Sequence, residues 1–202
     1  MIKLCQLILL SQIFISSIAL GESVLLIGDS IFALNRTTAG YLRSNGFQVK
    51  DKSRIAAKMS AIATQYSANR AGVKTVVMNG GGNDILLGHY MDCVARNAKC
   101  KTAVRSAIGK GKQLMKRMEG DGVEKIIYVG LYHFRGFNKT LNPTVDEAMS
   151  QVKRACATVE ICTFIDSRKF IGQGDLKPDD IHPTAVASKK MGRAIVRALR
   201  KN

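Results

Sequence analysis

The chain has 202 residues, of which 46% are hydrophobic and 23% are charged, so it is long enough and apolar enough to bury one full core. This composition excludes collagen-like, fibrous and wholly disordered chains. The 31 Lys and Arg residues outnumber the 15 Asp and Glu residues, and the formal net charge of +16 favours an anionic partner without identifying it.

Residues 1–21 have the pattern of a secretory signal peptide. One cation, Lys3, precedes an apolar stretch diluted by Gln and Ser, and Ala19 stands at position −3 of a cleavage site after Gly21. A transmembrane helix would need about 20 predominantly apolar residues and a flanking cationic stop, and the apolar stretch here is too short and too polar for that. We therefore expect a signal peptide at residues 1–21 and one mature domain at residues 22–202, periplasmic or secreted, with an uncleaved anchor as the alternative.

Export determines how the cysteines are interpreted. The mature chain has four, in two close pairs, Cys93 with Cys100 and Cys156 with Cys162. In an oxidising compartment such pairs predict two short-loop disulfides, although four cysteines allow three connectivities. Zinc knuckles space their cysteines by two to four residues, whereas six and five residues intervene here, so we expect no metal site.

Five short apolar runs alternate with segments of helical period in the mature chain. The predicted strands cover residues 23–27, 47–50, 73–78, 125–131 and 162–165. The apolar faces of the predicted helices contain Ile31, Leu34, Thr38 and Leu42; Ile55, Met59, Ile62 and Tyr66; Val145, Met149, Val152 and Cys156; and Ala187, Met191, Ala194, Ile195 and Leu199. Thr144 and Glu147 form a capping-box pattern at the start of the third helix. A strand followed by a helix, repeated five times, predicts a parallel sheet with helices on both faces.

Parallel sheets of this kind bind ligands at the carboxyl ends of their strands, and the first candidate residues follow the first strand. In Gly28-Asp29-Ser30, a tight strand-to-helix turn exposes the Ser30 hydroxyl beside free helix amides that stabilise negative charge. We interpret Asp29 as bracing this turn. An ordinary helix cap is the alternative, because Asp and Ser are common at helix starts.

The third strand is followed by a glycine-rich segment, NGGGND at residues 79–84. Gly81 and Gly82 permit close backbone approach, and the amide of Asn83 supplies uncharged donors that suit an oxyanion hole. The alternative is a turn in which Asn83 or Asp84 caps the next helix.

The segment PDDIHP at residues 178–183 precedes the last predicted helix. A neutral imidazole such as that of His182 is the usual side chain for taking a hydroxyl proton near pH 7. Asp179, three residues earlier, can accept from the other ring nitrogen and fix its orientation, and Asp180 is the alternative partner. His133, after the fourth strand, is the alternative base, although no acid lies close to it in sequence.

With these segments in this order, the sequence resembles the GDSL-type esterases of the SGNH hydrolase superfamily. The matching motifs are GDS at residues 28–30, GxND at residues 81–84 and DxxH at residues 179–182, and the resemblance extends over essentially all of residues 22–202. It implies a flavodoxin-like, three-layer αβα sandwich with a five-stranded parallel sheet, and a serine ester hydrolase without metal or organic cofactor. It further implies the site roles: Ser30 as nucleophile, His182 as base, Asp179 as its orienting partner, and Asn83 and the Ser30 amide as oxyanion donors.

One segment departs from the family pattern. The family has a glycine after the second strand whose N–H completes the oxyanion hole, whereas this chain reads DKSRIAAK at residues 51–58. Ala56 aligns best with that glycine and can serve if its φ is negative, because only its N–H is required. Loss of this donor would cost about 3 kcal/mol of transition-state stabilisation.

The substrate and the partners are open between several classes. Phe134 and Phe137, in the loop after the fourth strand, favour lipid or other acyl esters, and carbohydrate O-acetyl esters are the alternative. Two basic clusters fit a solvated surface or contact with an anionic membrane or glycan: Lys99, Lys101, Arg105, Lys110, Lys112, Lys116 and Arg117; and Lys189, Lys190, Arg193, Arg197, Arg200 and Lys201. Nucleic acid is disfavoured, because the chain has no Trp and 6% aromatic residues. A non-catalytic polyanion-binding protein on the same fold is the competing class.

Overall fold

The structure is a computed structural model that describes residues 22–201. The predicted signal peptide at residues 1–21, with Cys5, lies outside the described residues. Within the described part of the chain, no helix combines the length and the apolar composition needed to cross a bilayer.

Five parallel strands form the centre of the described domain, as the alternating pattern predicts. They are β1 (Ser23–Ile27), β2 (Gln48–Asp51), β3 (Thr75–Met78), β4 (Lys125–Val129) and β5 (Cys162–Ile165). β1 and β5 have the predicted bounds, whereas β2 is displaced by one residue and β3 and β4 are two residues shorter. In the strand order β2-β1-β3-β4-β5, the chain adds β2 on one side of β1 and then β3 on the other side. The strand order therefore reverses between β1 and β3, where parallel sheets form a crevice at the carboxyl ends of their strands.

Within residues 22–201, eight α-helices cover the two faces of this sheet and complete the three-layer sandwich. They are α1 (Ser30–Ala33), α2 (Thr37–Ser44), α3 (Met59–Ser67), α4 (Gly82–Leu86), α5 (Tyr90–Val94), α6 (Ala98–Gly120), α7 (Asn142–Cys156) and α8 (Ala185–Leu199). α2 packs with α8, and α6 packs with α3 and α7. Because helices lie on both faces, β1, β3 and β4 are almost wholly buried, which explains their continuous apolar sequences.

The first predicted helix is divided in two. α1 and α2 are separated at Arg36, which has a left-handed φ of 51°. The side chain of Asn35 stabilises the break, because its Oδ1 accepts from the N–H of Thr37 at 3.1 Å and its Nδ2 donates to Ser188 Oγ at 3.3 Å. Leu34, predicted on the apolar face, is exposed as a result.

Two predicted helix starts are wrong. Ile55 lies outside α3 and is exposed, because the helix begins at Met59, whose N–H donates to Asp84 Oδ2 at 2.9 Å. α7 begins two residues before Thr144, so the predicted capping box does not form. The Thr144 hydroxyl instead donates to the carbonyl of Cys93 at 3.1 Å.

Both predicted disulfides are present. Cys93–Cys100 joins α5 to the first turn of α6, and Cys156–Cys162 joins the end of α7 to β5, with S–S distances of 2.03 and 2.09 Å. Each closes a short loop and restricts the unfolded chain, which stabilises the fold by about 2 to 3 kcal/mol in the chain-entropy model. In the region covered by the structure, no group of three or more His, Cys, Asp or Glu side chains could hold a metal ion.

Candidate active site

Ser30 is the first residue of α1 and lies directly beyond the carboxyl end of β1. Asp29 is the N-cap of this helix, and its carboxylate accepts from the N–H of Ile31 at 3.0 Å. Gly28 is required here, because a Cβ at this position would overlap Oδ1 of Asn79. The side chain of Ser30 is largely buried, and its N–H belongs to the unpaired first turn of a helix.

Two remote side chains hold the serine turn, which we define as residues 28–30. Gln65 of α3 accepts from the N–H of Gly28 at 2.8 Å and donates to its carbonyl at 3.0 Å. Asn79 Oδ1 accepts from the N–H of Asp29 at 3.1 Å, and Asn79 Nδ2 donates to Oδ1 of the Asp29 side chain at 2.7 Å. Burial nevertheless raises the pKa of Asp29 above its ordinary value. Neither support was predicted; the position of Asn79 directly after a strand was a usable signal, whereas Gln65 gave none.

His182 lies in the histidine turn, residues 176–183, which is closed by an antiparallel bridge between its two ends. His182 Nε2 is 2.9 Å from Ser30 Oγ, and His182 Nδ1 is 2.8 Å from Asp179 Oδ2. An ionised carboxylate can only accept hydrogen bonds, so Nδ1 carries the ring proton. Nε2 is therefore left to accept a hydrogen bond from the Ser30 hydroxyl.

Asp179, and not Asp180, contacts the imidazole. Its other oxygen accepts from the N–H groups of Ile181 at 3.0 Å and His182 at 2.8 Å. Burial raises the pKa of Asp179, but these backbone hydrogen bonds and that of the imidazole outweigh it and hold the pKa below its ordinary value. Asp180 instead accepts from Arg135 Nε at 2.6 Å. The carboxylate beside the ring is therefore ionised at neutral pH.

Asn83 lies in the first turn of α4 and faces the same cleft as Ser30. The N-cap of α4 is Gly81, whose φ of 94° favours glycine. Asn83 Nδ2 donates to the carbonyl of Ala57 at 3.2 Å, and an amide nitrogen has a second hydrogen for a ligand. Neither Asn83 nor Asp84 caps α4, because Asp84 caps the start of α3 instead.

Ala56 does not have the negative φ that the sequence argument required. Its φ is +60°, in the left-handed region that favours glycine, where alanine costs about 1 to 2 kcal/mol. The chain thus adopts a glycine-type backbone conformation at Ala56, the residue that the resemblance aligns best with the family's glycine. The N–H of Ala57 donates to the carbonyl of Arg54 at 3.3 Å, whereas no hydrogen bond among residues 22–201 is donated by the N–H of Ala56.

Ser30, Asn83 and His182 line a cleft of about 280 Å³ at the carboxyl ends of β1 and β3, whereas Ala56 and Asp179 are not among its wall residues. Besides Ser30, Asn83 and His182, its walls contain Ile31, Gly82, Leu86, Leu87, Tyr90, Leu131, Phe134, Asn138 and Ile181. Phe134 is a wall residue, whereas Phe137 is exposed and stacks on Tyr90 with ring centroids 6.1 Å apart. A few convergent polar groups between apolar walls are typical of a small-molecule site.

The His133 ring pairs with a carboxylate outside the catalytic cleft. Its Nε2 is 2.8 Å from Oδ1 of Asp146 on α7, and the same oxygen pairs with Arg168 at 2.8 Å. His133 is also absent from the walls of the catalytic cleft. The structure therefore brings Ser30, Asn83, Asp179 and His182 together and leaves the alternative base outside.

The comparisons with known proteins identify the family and agree with the fold. A family model described as GDSL-like Lipase/Acylhydrolase matches residues 24–195. The chain is similar in structure to Axe2, an acetylxylan esterase from Geobacillus stearothermophilus, with a TM-score of 0.69 and 17% identity over 91% of this chain and 97% of that one. It is also similar to LAE5, an alpha/beta hydrolase enzyme from the metagenome of Lake Arreo, Spain, with a TM-score of 0.68 and 15% identity over 88% and 94% of the two chains. No curated protein matches in sequence.

Proposed function

The chain belongs to the GDSL-like lipase/acylhydrolase family and is a carboxylic ester hydrolase, and we propose that it acts through an acyl-enzyme formed on Ser30. The observation that carries this proposal is one continuous chain of hydrogen bonds. The Ser30 hydroxyl lies 2.9 Å from His182 Nε2, and His182 Nδ1 lies 2.8 Å from Asp179. In this arrangement an oriented imidazole activates a hydroxyl for attack on a carbonyl.

The similar acetylxylan esterase supports the same three roles. Variants of that enzyme with a serine, an aspartate or a histidine replaced by alanine are described as catalytic mutants. The aspartate and the histidine are three positions apart in that chain, as Asp179 and His182 are here.

Each protein group has a defined task in the proposed reaction. His182 Nε2 takes the proton of Ser30 as its oxygen attacks the ester carbonyl, and Asp179 stabilises the imidazolium that forms. His182 then protonates the leaving alcohol, so that the acyl group remains on Ser30. A water molecule repeats the sequence and releases the acid, with His182 again as base.

The oxyanion is held by uncharged donors in this proposal. The N–H of Ser30 stands at the start of α1, and Asn83 Nδ2 keeps one hydrogen free beside its bond to Ala57. The N–H of Ala56 is the third donor that we propose, because it has no acceptor among residues 22–201, although Ala56 lacks the expected negative φ and is not one of the cleft-wall residues. Each such donor contributes about 2.7 to 4 kcal/mol when it is aimed at the oxyanion of the transition state.

Labelling with a fluorophosphonate, followed by peptide mapping, tests the nucleophile directly. We expect the label on Ser30 and no label in Ser30→Ala, which should also lose ester hydrolysis. Ser150→Ala, which removes an exposed hydroxyl from α7, is the matched control and should be labelled as the wild type is. Equal rates for the wild type and Ser30→Ala would refute the acyl-enzyme.

Two substrate classes fit the cleft. The apolar walls favour an ester with an apolar acyl group, as in lipids, and this is the class that we propose. A carbohydrate O-acetyl ester is the second candidate, which the likeness to acetylxylan esterases favours. A series of acyl chain lengths on one soluble leaving group separates the two, because an acetylesterase loses rate once the chain exceeds acetyl.

Export through a signal peptide at residues 1–21 is part of the same proposal. The two disulfides, Cys93–Cys100 and Cys156–Cys162, support it, because such bonds persist in oxidising compartments. N-terminal sequencing of the mature protein should begin at Glu22. Recovery of the protein with Met1 intact in a membrane fraction would favour the uncleaved anchor.

The edge of the sheet that carries the cleft is also the apolar edge of the molecule. Among the described residues, the exposed large hydrophobic side chains are Leu34, Ile55, Leu87, Met91, Phe137 and Val186. All of them lie between a strand and the first turn of the next long helix, and in a parallel sheet these segments gather at the carboxyl ends of the strands.

Cations lie at the same edge: Lys52, Arg54 and Lys58 are exposed between β2 and α3. We infer that the cleft edge contacts an anionic lipid surface. Sedimentation with vesicles containing an anionic phospholipid should carry the protein down, and Ile55→Ser should weaken binding. Binding to an acidic glycan but not to vesicles would favour the glycan instead.

A further inference from the structure

A second cavity, of about 50 Å³, lies behind one wall of the catalytic cleft. α4, α6 and α7 border it together with the end of β4, and its lining includes Val104, Ala107 and the partly exposed Ala148. None of the lining residues is charged. The cavity therefore offers no site for an ionic ligand.

The polar side chains around this cavity are already paired. The hydroxyl of Tyr128 donates to the carbonyl of Gly80 at 2.8 Å, and the hydroxyl of Thr144 donates to the carbonyl of Cys93 at 3.1 Å. A bound water needs two to four polar partners. The lining offers no unpaired polar side chain, so the space suits hydrocarbon.

The cavity and the cleft share part of their walls. Gly82, Leu86, Leu131 and Phe134 line both spaces. Gly82 precedes Asn83, and a Cβ at Gly82 would lie 3.3 Å from Leu131, so the absence of a side chain keeps this wall thin. Leucine and phenylalanine side chains can change rotamer, and the separation between the two spaces depends on these few groups.

We propose that this cavity receives the end of the acyl chain of the substrate, a proposal that rests on the acyl-enzyme at Ser30. An apolar cavity of about 150 Å³ accommodates the six carbons of benzene, so a third of that volume accommodates two or three carbons. Each methylene moved from water into such a site favours binding by about fourfold. Two methylenes therefore give a preference of about 15-fold for a chain that reaches the cavity over acetyl.

The test fills the cavity without touching the catalytic groups. Ala148 lines the cavity but not the cleft, so Ala148→Leu should occupy the space that the chain end would use. Ala103→Leu adds the same side chain on α6 outside the cavity and is the matched control. The readout is kcat/KM for p-nitrophenyl acetate, butyrate, hexanoate and octanoate.

We expect the wild type and Ala103→Leu to have a higher kcat/KM for a longer ester than for acetate. In Ala148→Leu, the ratio of the two kcat/KM values should fall about tenfold, while kcat/KM for acetate stays unchanged. The same preference in all three proteins would overturn the acyl site and leave only a packing void. Acetate hydrolysis that persists in Ser30→Ala would instead refute the proposed function.

A second measurement does not depend on the variant folding. A crystal structure of the wild type inhibited by a hexyl phosphonate should show phosphorus on Ser30 Oγ and the alkyl tail between α4, α6 and α7. A tail that runs out of the cleft into solvent would overturn the inference.

Discussion

The serine turn is buried and the histidine turn is partly exposed, although one hydrogen bond of 2.9 Å joins them. The backbone of the serine turn is held by Gln65 and Asn79, which are 37 and 50 positions away along the chain. In the histidine turn, Asp179 receives hydrogen bonds from the N–H groups of Ile181 and His182 and from the His182 ring. The geometry of the first turn thus depends on core packing, and the pairing inside the second is local.

The docking of the histidine turn is nevertheless long-range. The hydroxyl of Tyr132 donates to the carbonyl of Ile181 at 2.7 Å, and Arg135 binds both Asp180 and the carbonyl of Lys177. These contacts come from the segment after β4 and set the position of the turn as a unit. Substitutions inside the histidine turn should therefore lower the rate, whereas substitutions under the serine turn should lower the free energy of unfolding.

The largest expected effect is that of Asp179→Asn. Asparagine has nearly the same shape, but it is neutral, and its amide nitrogen would face His182 Nδ1 and favour the wrong ring tautomer. We expect kcat to fall on the order of 10³-fold to 10⁴-fold. The free energy of unfolding should change by less than about 1 kcal/mol, because the Asp179 side chain is 45% exposed.

Urea unfolding and ester hydrolysis on the same samples measure both quantities. Asp180→Asn is the matched control, since Asp180 binds Arg135 and not the ring. An equal loss of kcat in the two variants would contradict the assignment of Asp179.

The next largest effect is expected for Asn83→Ala. It removes a donor that acts mainly on the oxyanion of the transition state, so kcat should fall by about 10²-fold to 10³-fold with little change in KM. Asn138→Ala, on the wall of the same cleft, is the control and should lose less than about tenfold. A loss confined to KM would show that Asn83 binds ground-state substrate instead.

Asn79→Ala tests whether the groups under the serine turn stabilise the fold. It leaves the N–H of Asp29 without its acceptor in the core, and we expect a loss of about 1 to 3 kcal/mol in the free energy of unfolding. Asn69→Ala, which removes a partly exposed amide that bonds the carbonyl of Gln65, should cost less than about 1 kcal/mol. A large loss of kcat with unchanged stability would break the contrast between the two turns.

The same variant has a predictable pH dependence. Burial raises the pKa of Asp29 in the folded protein, so this carboxyl group ionises at lower pH in the unfolded chain, and its own contribution to stability falls as pH rises above about 4. Without Asn79 the ionised form of Asp29 also loses a donor. The difference in unfolding free energy between the wild type and Asn79→Ala should therefore be larger at about pH 7 than at about pH 4.

The sequence predicted the residues of the site, because Ser30 and Asn83 each follow a strand and His182 precedes the last helix, but not the side chains that support them. The three-residue spacing of Asp179 and His182 predicted their contact, with Asp180 left as the alternative partner, and β1 and β5 were predicted with their observed bounds. Gln65 was missed, because a polar residue on a helix does not show in sequence which backbone group it will face. The break at Arg36 was missed for a similar reason, since Asn35 stabilises it through Ser188, 153 positions away.

The smallest effect is expected for Ala56→Gly. Glycine relieves the left-handed φ of +60° but adds freedom to the unfolded chain, and these terms of about 1 kcal/mol oppose each other. Ala56→Gly should therefore change the free energy of unfolding by less than about 1 kcal/mol and keep kcat within about threefold. Ala56→Val is the informative partner, because a β-branched side chain resists this φ and must move the turn. If the N–H of Ala56 holds the oxyanion, Ala56→Val lowers kcat as Asn83→Ala does. If Ala56→Val lowers the free energy of unfolding but leaves kcat unchanged, Ala56 is not part of the oxyanion hole, and Ser30 and Asn83 are its donors.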